Sequence, residues 1–172
     1  MNPIMENLLT RRSIRAFTQT PIPRGDLEQI VTAALYAPSA RGLQTWQFTV
    51  LTDTKKIQKL AKAIEKELNR DGYDMYCPQA LIIPSNEASS PYGKEDNACA
   101  LENIFLAAHS LGIGSVWINQ LQDICGHPAI REVLDELEIP AGHVVYGMAA
   151  LGYPAPAPEK ETVKTGKVRF IE

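Results

Sequence analysis

The chain has 172 residues, 45% hydrophobic and 22% charged, with a formal net charge of −3. That length suits a single domain with a full core, and the small negative charge excludes a global attraction to nucleic acid or to an anionic membrane, so any anion site must be local. Cys77, Cys99 and Cys125 are odd in number and lack C-x-x-C spacing, so neither a disulfide framework nor a zinc knuckle is indicated and they read as reduced, intracellular thiols.

The first residues carry no basic region followed by an apolar run, and no later stretch reaches membrane-spanning length. A cytoplasmic location is expected. Residues 7–10 read as the end of a short helix and 11–17 as a turn and extended segment. Pro21 and Pro23 punctuate the chain, and Asp26 opens an amphipathic helix in which Leu27, Ile30, Val31, Ala34 and Leu35 recur at helical spacing until Pro38. Residues 46–51 alternate and are rich in β-formers, which predicts a strand. Asp53 should cap the next helix, with Ile57, Leu60, Ile64 and Leu68 on one face.

After a polar, turn-rich stretch at 69–75, Ala80-Leu81-Ile82-Ile83 reads as a short buried strand ended by Pro84, and 85–93 as a loop. The helix over 96–111 is apolar nearly all round, which points to a central position or a subunit interface, and Gly112 stops it. Residues 115–118 read as a strand and 128–137 as a helix opened by Pro128. Residues 143–151 read as a final core strand with Gly147 at a close backbone approach. Prolines at 154, 156 and 158 favour extended geometry, a stiff arm carrying residues 164–172 away from their own core.

Two stretches bear on chemistry. Arg11, Ser13 and Arg15 occupy alternate positions, so in an extended segment two guanidiniums and a hydroxyl share one face and match phosphate geometry. Taken alone, the string also fits a solvated basic turn. In the second stretch, 38–46, Ser39 and Gln44 can hydrogen-bond a polar ring edge while Ala40 and Gly42 permit close backbone approach; an ordinary helix-to-strand loop fits it equally well. His109, His127 and His143 lack metal-ligand spacing, and no G-x-S-x-G, Walker or dinucleotide-binding fingerprint occurs.

The run from Leu8-Leu9-Thr10-Arg11-Arg12-Ser13-Ile14-Arg15-Ala16-Phe17, through Ala37-Pro38-Ser39-Ala40 to Gln44-Thr45-Trp46, then residues 103–117 and Ala150-Leu151-Gly152-Tyr153-Pro154, resembles the FMN-dependent nitroreductase superfamily. The resemblance implies an α+β, three-layer sandwich with a central mixed, mainly antiparallel sheet flanked by helices. It also implies a C-terminal arm that extends onto the partner of a homodimer. Two tightly bound, non-covalent FMN molecules would lie in the interface, with NAD(P)H as transient electron donor.

By the same resemblance, Arg11, Ser13 and Arg15 hold the phosphate and ribityl chain, with Arg12 as an accessory contact. Pro38, Ser39, Ala40 and Gln44 match the segment that reaches the flavin from the opposite protomer, and Asn119 and Gln120, just after Trp117-Ile118, match the stretch whose backbone lies at the reactive edge of the ring. Lys164 or Lys160 completes the phosphate site, with Lys167 and Arg169 as alternatives. No side-chain acid or nucleophile is required, because the flavin N5 carries the chemistry. The implied activity is ping-pong reduction of a nitroaromatic, a quinone or a similar small acceptor; dehalogenation, enoyl reduction, flavin breakdown and flavin storage are the alternatives. Gly42 and Thr45 depart from the asparagine and proline that many members carry.

Overall fold

The computed structural model describes residues 2–156 and 163–172. Among the described residues, five α-helices, α1 (Pro3–Thr10), α2 (Arg24–Leu35), α3 (Thr54–Glu67), α4 (Gly93–Ser110) and α5 (Pro128–Glu136), and the strands β1 (Trp46–Leu51), β2 (Ala80–Glu87), β3 (Gly114–Ile118), β4 (His143–Val144) and β5 (Met148–Gly152) follow in the order α1-α2-β1-α3-β2-α4-β3-α5-β4-β5. The sheet runs β1-β2-β5-β3, with β4 paired to β2, and every ladder is antiparallel. A single parallel bridge, Ser13 to Ser115, adds the segment after α1 to the β3 edge and gives the sheet its mixed character.

Alternation along β2 divides the core. Leu81 and Ile83 face α3 and α5 in one apolar cluster, whereas Ala80 and Ile82 face α2 and α4 in the other. The result is helix, sheet, helix, the three layers that the resemblance implies. Helix α4 touches α1, α2 and four strands, which accounts for its lack of a polar face. At α3 the expected cap is in place, as the Asp53 carboxylate accepts from the Lys55 and Lys56 amides.

Two expectations need correction. Pro84 does not end its strand, since β2 continues to Glu87 and leaves only 88–92 as loop before α4. The strand expected over 143–151 is also divided. Both follow from one irregularity: between the pairs Ile82↔Ala149 and Asn86↔Val144, three residues of β2 (Ile83, Pro84, Ser85) face four (Val145, Tyr146, Gly147, Met148). The Glu87 amide donates to Thr45 on the β1 side, so by alternation the Pro84 nitrogen faces this bulge, where its missing N–H leaves no rung unmade. Gly147 in the bulge lies against Trp117, and a Cβ there would come within 2.7 Å of the indole.

The start of the proline-rich segment is pinned beside the N-terminal segment. Thr18 donates to the Tyr153 carbonyl at 2.8 Å and Ala155 to that of Ala16 at 2.9 Å. Pro158 lies outside the described residues. The tail from residue 163 is exposed throughout. Among the described residues, no helix is long and apolar enough to cross a membrane, and no three or more His, Cys, Asp or Glu side chains gather as metal ligands.

Candidate active site

The first helix is tied to α4 by the Asn7 amide, which donates to the Leu106 carbonyl at 3.0 Å, and by a 2.8 Å contact between Thr10 Oγ1 and His109 Nε2. The Thr10 hydroxyl donates to the Glu6 carbonyl, so in the arrangement assigned His109 Nε2 carries the proton. Burial, and after it the charge of Arg11, holds the His109 imidazole below its ordinary value.

Beyond Arg11 the chain is extended. The Ile14 amide donates to Ser115 at 2.9 Å, and the Ile14 side chain fills the space that Gly114 leaves, where a Cβ would approach within 2.9 Å. With Ile14 directed inwards, its neighbours project outwards. Arg11 and Ser13 line a cavity of about 220 Å³ with Glu102 and Phe105 of α4 and Ser115 and Trp117 of β3. Arg12 and Arg15 are exposed and do not line this cavity. Glu102, a lone exposed carboxylate on a helix, gave no signal in the sequence.

The stretch at 38–46 is clamped to α4 and β2. The Ser39 hydroxyl donates to Asp96 Oδ2 at 2.7 Å, the Ala40 amide donates to Asp96 Oδ1 at 2.9 Å, and the Gln44 amide donates to Ser39 Oγ at 2.9 Å. Thr45 Oγ1 donates to Asn86 Oδ1 at 2.6 Å, and the Arg41 guanidinium lies 5.8 Å from the centre of the Tyr92 ring. The Ser39 proton is therefore committed to Asp96. Asp96 was not singled out in the sequence, because its partners lie over fifty residues away.

After β3, the Gln120 side-chain carbonyl accepts from the Tyr73 hydroxyl at 2.8 Å and from the Asn119 amide at 3.0 Å, while Asn119 Oδ1 accepts from the Trp117 indole at 3.2 Å. Burial pushes the Tyr73 phenol up. Lys164, Lys167 and Arg169 lie in the exposed tail and line no part of the Arg11 cavity; Lys160 lies outside the described residues. A larger groove between α2 and β1, about 740 Å³, contains none of the predicted site residues.

The profile of the Nitroreductase family matches residues 8–77 and 74–153. The chain belongs to the Nitroreductase family. A Bacteroides fragilis nitroreductase solved with bound FMN has 38% identity and a TM-score of 0.93, over 100% of both chains. An NADH dehydrogenase of Thermus thermophilus is 46% identical over 86% of this chain and 84% of its own length. An NADPH-flavin oxidoreductase of Vibrio harveyi is 29% identical over 92% of this chain and 69% of its own length. The Nitroreductase match thus takes in the Arg11 segment, the clamped loop and β3, and stops at residue 153, where the proline-rich segment begins.

Proposed function

We propose that this chain is a single-domain, FMN-dependent oxidoreductase that uses NADH or NADPH to reduce a small acceptor such as a nitroaromatic or a quinone. The observation that carries the reading is the cavity that Arg11 and Ser13 line together, whose guanidinium and hydroxyl make a donor pair that fits the phosphate end of the cofactor. Relatives named as flavin oxidoreductases and nitroreductases support it. When bound, FMN would supply the redox chemistry, hydride acceptance from the nicotinamide donor and electron delivery to the acceptor, at the site these residues form.

This chain's own residues bind and orient. Arg11 and Ser13 hold the phosphate, with Arg12 and Arg15 adding positive charge from outside the cavity, and Lys164 joins them from the tail. Asn119 and Gln120, fixed by Tyr73 and by each other, present backbone to the ring edge. Pro38, Ser39, Ala40 and Gln44 line no part of the Arg11 cavity of their own chain, which supports a homodimer in which they face the partner's cofactor.

The test is an anaerobic titration of FMN-loaded protein with NADH and NADPH, followed by flavin absorbance. Stoichiometric bleaching at a useful rate is expected. A protein that does not bind FMN would falsify the reading, and one that binds FMN but bleaches only sluggishly would be a flavin-storage protein instead.

A further inference from the structure

We propose that Asp96 is a positioning residue, which sets the working geometry of the flavin-facing loop through Ser39 and Ala40; this rests on the reading above that the loop meets the partner's FMN. Asp96 is 3% exposed, and a carboxylate is buried at a cost unless its oxygens are bonded. Here both oxygens are used, one by the Ser39 hydroxyl and one by the Ala40 amide. The residue also stands in the first turn of α4, where the positive end of the helix favours its charge.

The clamp closes on itself, because the same Ser39 oxygen that donates to Asp96 accepts the Gln44 amide. Between the two ends the backbone is left-handed at Arg41 (φ 57°), Gly42 (φ 65°) and Gln44 (φ 50°). At the two residues that carry a Cβ this conformation costs about 1 kcal/mol or more each, so it persists only where its surroundings impose it. Asp96 supplies that constraint from a different element. Its removal releases Ser39 and Ala40 together and lets the loop relax, and a displacement near 1 Å at a reacting centre is enough to slow chemistry about 100-fold.

The test compares Asp96→Ala, Asp96→Asn, Ser39→Ala and the double variant Asp96→Ala/Ser39→Ala in FMN-loaded protein, by stopped-flow reduction with saturating NADH under anaerobic conditions. Asp96→Ala should slow flavin reduction by roughly 10- to 100-fold and shift the flavin absorbance. Its FMN affinity should fall by less than the rate of reduction does, because the phosphate contacts lie on the other protomer and are distant from the change. Asp96→Asn should recover most of the rate, since its carbonyl still accepts from Ala40 and its amide can donate to a turned Ser39 hydroxyl. The double variant should be little slower than Asp96→Ala alone.

Unchanged reduction in Asp96→Ala, an Asp96→Asn as slow as Asp96→Ala, or losses that multiply in the double variant each overturn the proposal. If Asp96→Ala does not fold, Asp96→Asn and Ser39→Ala carry the comparison. Amide hydrogen exchange separates this proposal from the flavin reading: without FMN, Ala40 and Gln44 should exchange at least about tenfold faster in Asp96→Ala than in the parent, and equal rates overturn the clamp even where FMN binding holds.

Discussion

His109 connects the Arg11 segment to α4 and senses its charge. It contacts Thr10 directly and feels Arg11 through space, while burial, the larger cause, already disfavours its charged form. The folded protein therefore gives up this proton more readily than the unfolded chain does. The linked stability is complete above the ordinary histidine value of 6.5 and is lost as pH falls below it. A phosphate dianion bound against Arg11 offsets the guanidinium charge. In a proton NMR titration the His109 ring should titrate below 6.5 in the apoprotein and move upward when FMN binds; a value indifferent to FMN would place the phosphate elsewhere. Ser39 teaches a different lesson at this scale. Its hydroxyl, which the sequence offers to a ring edge, is spent on Asp96, so the loop can present backbone and the Gln44 side chain but not this donor.

Among the elements, the extended segment after α1 depends on a glycine in its neighbour. A Cβ at Gly114 would stand within 2.9 Å of Ile14, and Ile14 lies between Ser13 and Arg15. Gly114→Ala should cost about 1–3 kcal/mol of stability by overpacking. Because the displaced residue adjoins Ser13, FMN affinity should fall as well; thermal unfolding with and without FMN measures both, and a stability loss with affinity intact would detach Ile14 from the site. The helices and β1 were legible from periodicity and from local chemistry such as the Asp53 cap, because neighbours in sequence impose them. The continuation of β2 through Pro84 was not. It depends on a bulge in a strand sixty residues later, and no local property of Pro84 announces which neighbour its nitrogen faces. The same holds within the site. Arg11 and Ser13 stand out in the sequence because their side chains have donor chemistry suited to phosphate, whereas Asp96 acts through partners over fifty residues away and Glu102 joins the cavity lining only through the fold.

For the molecule as a whole, the unresolved balance is apolar surface. Phe170 and Ile171 are 89% and 93% exposed in the single chain, and Val163, Val168 and α1 residues Ile4 and Leu9 are also largely uncovered, a distribution that suits contact with a second copy. If the chain pairs as proposed, removing the residues after Pro156 should turn that dimer into a monomer by sedimentation velocity and weaken FMN binding with it. A truncated chain that stays dimeric and yellow would deny the tail that role. The separation of the Arg11 cavity from the clamped loop reaches further than assembly. If each cofactor is embraced by two chains, losing a neighbour also uncovers a flavin, and loading follows mass action in the protein itself. Dilution then acts as an eluant, and the supply of the polypeptide, alongside that of FMN, decides how much of it is charged for electron transfer.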